Sequence, residues 1–146
     1  MRCKNITIGL TLALMLLLVS CKKENSLFNG NDFRIGNWGD PMYLIQKNEG
    51  AMSTYDNDNR LMYWDTFLGY DSNITYIFYN KKLVNGFIEI ESTDSKDKVY
   101  SNVISTLEAT YGEPVSKENN ATKFKTDNGF IYVSKSGTNC TVLVGQ

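Results

Sequence analysis

Histidine is absent from all 146 residues. That single gap removes the commonest general base, the commonest metal ligand and the usual pH switch together. Equally absent are the Gly-rich spacing of a phosphate loop, a nucleophile elbow and any metal-ligand spacing. A basic excess is missing too, with 15 Lys and Arg against 16 Asp and Glu, a formal net charge of −1. Nucleic-acid binding needs a positive surface that releases counterions, so this balance argues against such a partner. Cysteine is scarce: Cys3, Cys21 and Cys140 are the whole supply.

What the chain does have begins at its amino terminus. Arg2 and Lys4 precede Ile6–Val19, an apolar run broken only by Thr7, Gly9 and Thr11. The run falls short of the roughly 20 residues that cross a bilayer and fits a secretory h-region instead. It closes on Leu18-Val19-Ser20-Cys21. Those four residues resemble the lipobox of bacterial lipoprotein signal peptides; the competing reading is an uncleaved anchor with an incidental cysteine. The resemblance implies that residues 1–20 are removed and that Cys21 is acylated as the first mature residue. Membrane lipid, held through Cys21, is then one partner. Two or three acyl chains, at about 0.8 kcal/mol per buried CH₂, would hold the protein to a bacterial membrane on its periplasmic or extracellular side. Loss of Arg2 and Lys4 leaves 13 basic residues against 16 acidic, about −3. Export argues against nucleic acid once more. Only Cys140 would remain free, so no intramolecular disulfide is available and the fold stands on its core.

Residues 22–32 (KKENSLFNGND) are polar and rich in Asn, and with Cys21 they read as a lipidated flexible tether over 21–32. Residues 33–146 are expected to form a single domain. Asp40 as cap, Pro41 at the first turn and Gly50 at the C-cap frame a short helix, with Trp38 as a lid just before it. After a polar connection over 51–60, strands are expected at Leu61–Leu68, Asn73–Tyr79 and Leu83–Glu91, joined by short turns and therefore antiparallel. Asp94–Tyr111 is the strongest helix, because Tyr100, Val103, Ile104, Leu107 and Tyr111 recur at helical spacing. Gly112 and Pro114 end it. Strands follow at Ala121–Thr126, Gly129–Ser134 and Asn139–Val144. The expected fold is α+β: a tandem helix-plus-three-strand repeat, making a six-stranded antiparallel sheet with two helices on one face.

The phrases Trp38-Gly39-Asp40, Leu68-Gly69-Tyr70-Asp71 and Tyr111-Gly112-Glu113-Pro114 resemble a group of small bacterial envelope proteins. In outline the helix-plus-strands unit is similar to the beta-lactamase inhibitor proteins and to the outer-membrane assembly lipoprotein BamE. The resemblance spans roughly residues 33–145. The chain lacks the inhibitors' disulfides, and no functional residue carries over.

Several side-chain groupings invite a chemical reading. Asp56-Asn57-Asp58-Asn59 suggests calcium, but Arg60, Leu61 and Phe67 stand where an EF-hand needs an oxygen ligand, glycine and an acid. A solvated loop is expected, and no metal or cofactor. Cys140 has no histidine partner and alternates with Val142 and Val144, so it reads as a small buried hydrophobe. Asn5, Asn73, Asn120 and Asn139 each open an N-x-[ST] match, a matter of chance in an Asn-rich chain. Glu89 and Glu91 share a strand face and would serve a glycosidase, yet solvated charge is their ordinary role. No catalytic residue is expected. The aromatic load is high: nine Tyr, seven Phe and two Trp. If Ile74, Tyr76 and Phe78 face the helices, Trp64, Ile77, Tyr79 and Phe87 share the outer face and form a candidate partner-binding surface. The expectation is a non-enzymatic, protein-binding envelope lipoprotein serving as scaffold, assembly factor or inhibitor. The alternative is a small-ligand carrier or hydrolase with a pocket between helices and sheet.

Overall fold

Alternation decides the architecture. On the strand Tyr70–Tyr79, Ile74 and Tyr76 are wholly buried while Asn73 and Ile77 are half-exposed. A period of two with one dry side calls for a layer above one face only. The computed structural model describes residues 27–146. The lipobox, Cys21 and the signal peptide lie outside the described residues.

The elements run α1 (Met42–Glu49), β1 (Tyr55–Asn57), β2 (Arg60–Phe67), β3 (Tyr70–Tyr79), β4 (Lys82–Ile90), α2 (Lys96–Tyr111), β5 (Ser116–Glu118), β6 (Ala121–Thr126), β7 (Gly129–Ser136) and β8 (Asn139–Gly145). The strands form one antiparallel sheet in the order β1-β2-β3-β4-β8-β7-β6-β5. This overturns the expected six-stranded sheet built from a tandem helix-plus-three-strand repeat. Each edge carries a further three-residue strand, β1 and β5, whose mostly polar, exposed residues lack the apolar alternation that marks a strand. Both are held by hairpin pairing to a longer neighbour, β1 to β2 and β5 to β6.

The helices are unequal as well. α2 runs for 16 residues, is capped by Ser95 accepting from the Lys98 N–H at 3.3 Å, and buries Val99, Val103, Ile104 and Leu107. It packs over β6, β7 and β8. α1 has eight residues and buries only Ile45. Asp40 does not cap it. Its carboxylate accepts from the Asn37 N–H at 2.8 Å, and Pro41 takes the N-cap position without a side-chain bond. Gly50 closes α1 in the left-handed region at φ 65°.

A strap covers what the short helix leaves bare. Phe28 and Phe33 are core residues, and Phe33 meets Tyr76 edge to face with ring centroids 5.0 Å apart. Gly86 makes room for it, since a Cβ there would lie 2.3 Å from the Phe33 ring. Residues 27–32, read from the sequence as the end of the tether, therefore pack on the domain. Leu27 donates its N–H to Tyr111 Oη at 2.9 Å, and Asp32 accepts from Trp38 N and Asn128 Nδ2, each at 2.8 Å. Trp38 is partly buried against the same core.

Candidate functional site: the open face of the sheet

Helices and strap lie over one face, so the other carries the remaining side chains. Strand register lines them up in rows. One row runs Tyr55–Met62–Thr75–Phe87 across β1 to β4 and continues Leu143–Tyr132–Lys123 across β8 to β6. Met62, Phe87, Leu143 and Tyr132 are half-buried although neither described helix covers them. Their lateral neighbours do the covering: Thr75, set between Met62 and Phe87, is only 8% exposed. Directly opposed side chains on one sheet face sit about 4.5–5.5 Å apart at Cβ, close enough to shield one another. The result is an apolar band across the middle of an open sheet.

Flanking rows supply polar groups. Arg60 pairs with Ile77 on one side of the band, and Trp64, Asn73 and Glu89 align on the other. Together Arg60, Met62, Asn73, Thr75, Ile77, Phe87 and Glu89 line a hollow of about 330 Å³. Glu89 Oε1 accepts from Asn139 Nδ2 at 2.8 Å. Asn73 Oδ1 is buried without a partner among the described residues. A wider hollow of about 600 Å³ lies toward the β2–β3 turn, bordered by Trp64, Tyr70, Asp71 and Glu91. At the far side Lys123, Lys125 and Phe130 border a third, of about 250 Å³, with Lys123 Nζ 4.6 Å above the Phe130 ring.

Of the four residues singled out from the sequence, Ile77 and Phe87 line the first hollow. Trp64, 53% exposed, stands at the rim of the second. Tyr79 is set apart. It is the last residue of β3, paired with Lys82 at the tip of the β3–β4 hairpin, 70% exposed and outside both hollows. Sequence reasoning missed Met62, Leu143, Tyr132, Arg60 and Asn73. Each alternates with a core residue on its own strand, but only cross-strand register shows that they form a band. Glu89 sits on an interior strand and not on an edge, because β4 pairs with both β3 and β8.

The most heavily buried charge lies on the helix side and is structural. Arg34 bonds Glu49 through Nε (3.1 Å) and Nη2 (3.0 Å), and its Nη2 also reaches Asp65 at 2.8 Å. Tyr76 donates its hydroxyl to Glu49, whose side chain is 6% exposed. Burial alone would lower the Arg34 pKa, but the hydrogen bonds to Asp65 and Glu49 outweigh it and hold the guanidinium charged. Burial, followed by that same bond to Glu49, drives the Tyr76 hydroxyl far above its ordinary value. The cluster ties strap, α1, β2 and β3 together, with Glu49 buried and Asp65 at its exposed end. Cys140 is likewise withdrawn, since burial pushes its thiol up to about 11, far from a reactive thiolate.

Among the described residues no group of three or more His, Cys, Asp or Glu is placed to hold a metal ion. No described helix is long and apolar enough to cross a membrane. The chain matches no family model, no curated protein and no solved structure.

Proposed function

We propose that the protein is a lipid-anchored component of the bacterial cell envelope, tethered through Cys21, and that its open sheet face binds another protein without catalysing a reaction. The observation that supports this most is the band from Tyr55 through Met62, Phe87 and Leu143 to Tyr132 on a face that neither described helix covers. Eight strands about 4.8 Å apart and three rows of alternate residues present roughly 700 Å². A standard protein interface takes about 800 Å² per partner, so the face has the right extent. Its make-up also fits, with aromatics and Met in the central band and Arg60, Lys123 and Lys125 on the strands nearer the two edges.

The alternative, a ligand or substrate pocket between helices and sheet, has less support. That layer is filled by fully buried side chains such as Phe33, Ile74, Tyr76, Ile88 and Leu107. The test is a photo-crosslinking residue at Phe87 in living cells, with a second at Ser105 on the exposed side of α2 as control. A discrete adduct from position 87 only is expected. Equal adducts from both positions, or none from 87, would leave the face without a partner. Anchoring is tested separately: Cys21→Ser should abolish fatty-acid labelling and release the protein from membranes.

A further inference from the structure

Three Asn-Gly steps occur in the chain, at Asn29-Gly30, Asn85-Gly86 and Asn128-Gly129. Glycine after asparagine invites one reaction. With no Cβ in the way, the glycine amide nitrogen can swing onto the asparagine side-chain carbonyl and displace ammonia. The backbone must turn for that attack, so the fold decides which step is free to react.

Two of the three are held. Gly86 is paired on both sides, with Tyr76 and with Val144, and the Phe33 ring lies on it. Gly129 is paired with Thr126 and seated on the Gly145 backbone, where a Cβ would come within 1.9 Å of the carbonyl oxygen. Asn128 is also tied by its Nδ2 to Asp32 at 2.8 Å. Asn29-Gly30 has none of this. Both residues are exposed, at φ of 53° and 88°, the central pair of a tight turn. One backbone bond closes that turn, with Asn31 N–H donating to Phe28 O at 3.1 Å. Among the described residues neither the Asn29 side chain nor the Gly30 N–H has a hydrogen-bond partner. Opening an exposed turn of this kind costs far less than opening a ladder.

The turn also joins two attachments of the strap. Phe28, directly before it, is buried with its ring centroid 5.4 Å from Phe33 and 6.4 Å from Phe67. Asp32, just after it, accepts from Trp38 N and Asn128 Nδ2.

We propose that Asn29 is a deamidation site and that its conversion loosens the strap. The Gly30 nitrogen bonds to Asn29 Cγ, the Cγ–Nδ2 bond breaks, and Nδ2 leaves as ammonia with the Gly30 proton. Water then opens the ring. Attack at the side-chain carbon gives aspartate. Attack at the main-chain carbon gives isoaspartate, whose backbone runs through Cβ and Cγ and is one methylene longer. Either product adds a carboxylate, and isoaspartate also shifts Phe28 relative to Asp32. The reaction needs only water and runs one way, so loosening accumulates with the age of each molecule.

Full-length protein would be aged in mildly alkaline buffer, both native and in urea. Its peptides would be read by mass spectrometry, with isoaspartyl methylation as a second readout. Relative to its own rate in urea, position 29 should be slowed at least about tenfold less than positions 85 and 128. Aged native protein should also unfold at lower urea, in proportion to the fraction converted. Asn29→Gly suits the positive φ and has no amide to lose, so it should age without that shift. Position 29 protected as strongly as 85 or 128 would overturn the site. Conversion at 29 with an unchanged urea midpoint, or an equal shift in aged Asn29→Gly, would overturn the loosening.

Discussion

The two ends of the sheet are roofed differently. Over β6 to β8 lies one regular helix, capped, sixteen residues long, burying aliphatic side chains at helical spacing. Over β2 to β4 lie an eight-residue helix and an irregular strap, and the interior there is aromatic: Phe28, Phe33, Tyr63, Phe67, Tyr76 and Phe78 are buried. Beneath α2 the buried ring is Phe124. Large rings fill the space that a full-length helix would otherwise occupy, because each buries some 150–250 Å² from few backbone positions. Much of the aromatic excess is thus a substitute for a missing helix, and it leaves a smaller share for the open face.

The sharpest way to break this comparison is Phe33→Ala. Phe33 is 0% exposed and sits against Gly86, Phe28 and Tyr76, so a loss of about 3–5 kcal/mol is expected in urea or thermal unfolding. A loss below about 1 kcal/mol would mean that the strap is not a roof.

Arg34→Met should cost a similar amount, about 3–5 kcal/mol, by stranding the Glu49 carboxylate under the strap. Pairing it with Glu49→Met should recover most of the loss. If the double variant is as unstable as the single, Arg34 acts through packing and not through charge.

Under α2, Leu107→Ala should cost about 2–5 kcal/mol by the ordinary cavity mechanism. An unchanged denaturant midpoint would misplace that half of the core.

The acid limb probes the strap half in another way. Hydrogen bonding from Arg34 holds the Asp65 carboxyl below its usual value. A depressed carboxylate stabilises the fold above its unfolded pKa of about 3.9, and that contribution is lost as pH falls through the lower folded value. Asp65→Asn should therefore flatten the decline of stability below about pH 4, whereas an identical acid limb would show that the pair contributes nothing.

The smallest stability effect belongs to the open face. Tyr79→Ala should leave stability within about 0.5 kcal/mol, given its exposure. Since Tyr79 lies outside the hollows, Phe87→Ala is the variant expected to weaken partner capture by about 2 kcal/mol or more. Capture more sensitive to Tyr79 than to Phe87 would move the binding surface to the hairpin tip.

Legibility in the sequence followed regularity. α2 and the six longer strands lie within about three residues of their expected ends, because alternation and caps are local signals. The edge strands were not legible: Tyr55-Asp56-Asn57 and Ser116-Lys117-Glu118 carry no period and exist only because a neighbour pairs with them. Phe28 was hidden in a polar run, where a single ring gives no pattern. The relation of Gly86 to Phe33, fifty-three positions apart, has no local trace. The site divides in the same way. Which face Ile77 and Phe87 occupy follows from alternation, but that Met62, Phe87, Leu143 and Tyr132 form one band follows from register alone.

The short edges would matter to a protein held on a membrane as proposed above. Lipid-held molecules diffuse in two dimensions and meet one another far more often than they would free in solution. An open eight-stranded sheet is then at risk of extending from copy to copy through its unpaired edge amides. Here each outermost strand offers three residues, all exposed, with Asp56 on one edge and Lys117 and Glu118 on the other. Such edges are too short and too charged to template a neighbour. On the anchor proposed above, such edges would keep neighbouring copies from pairing strand to strand.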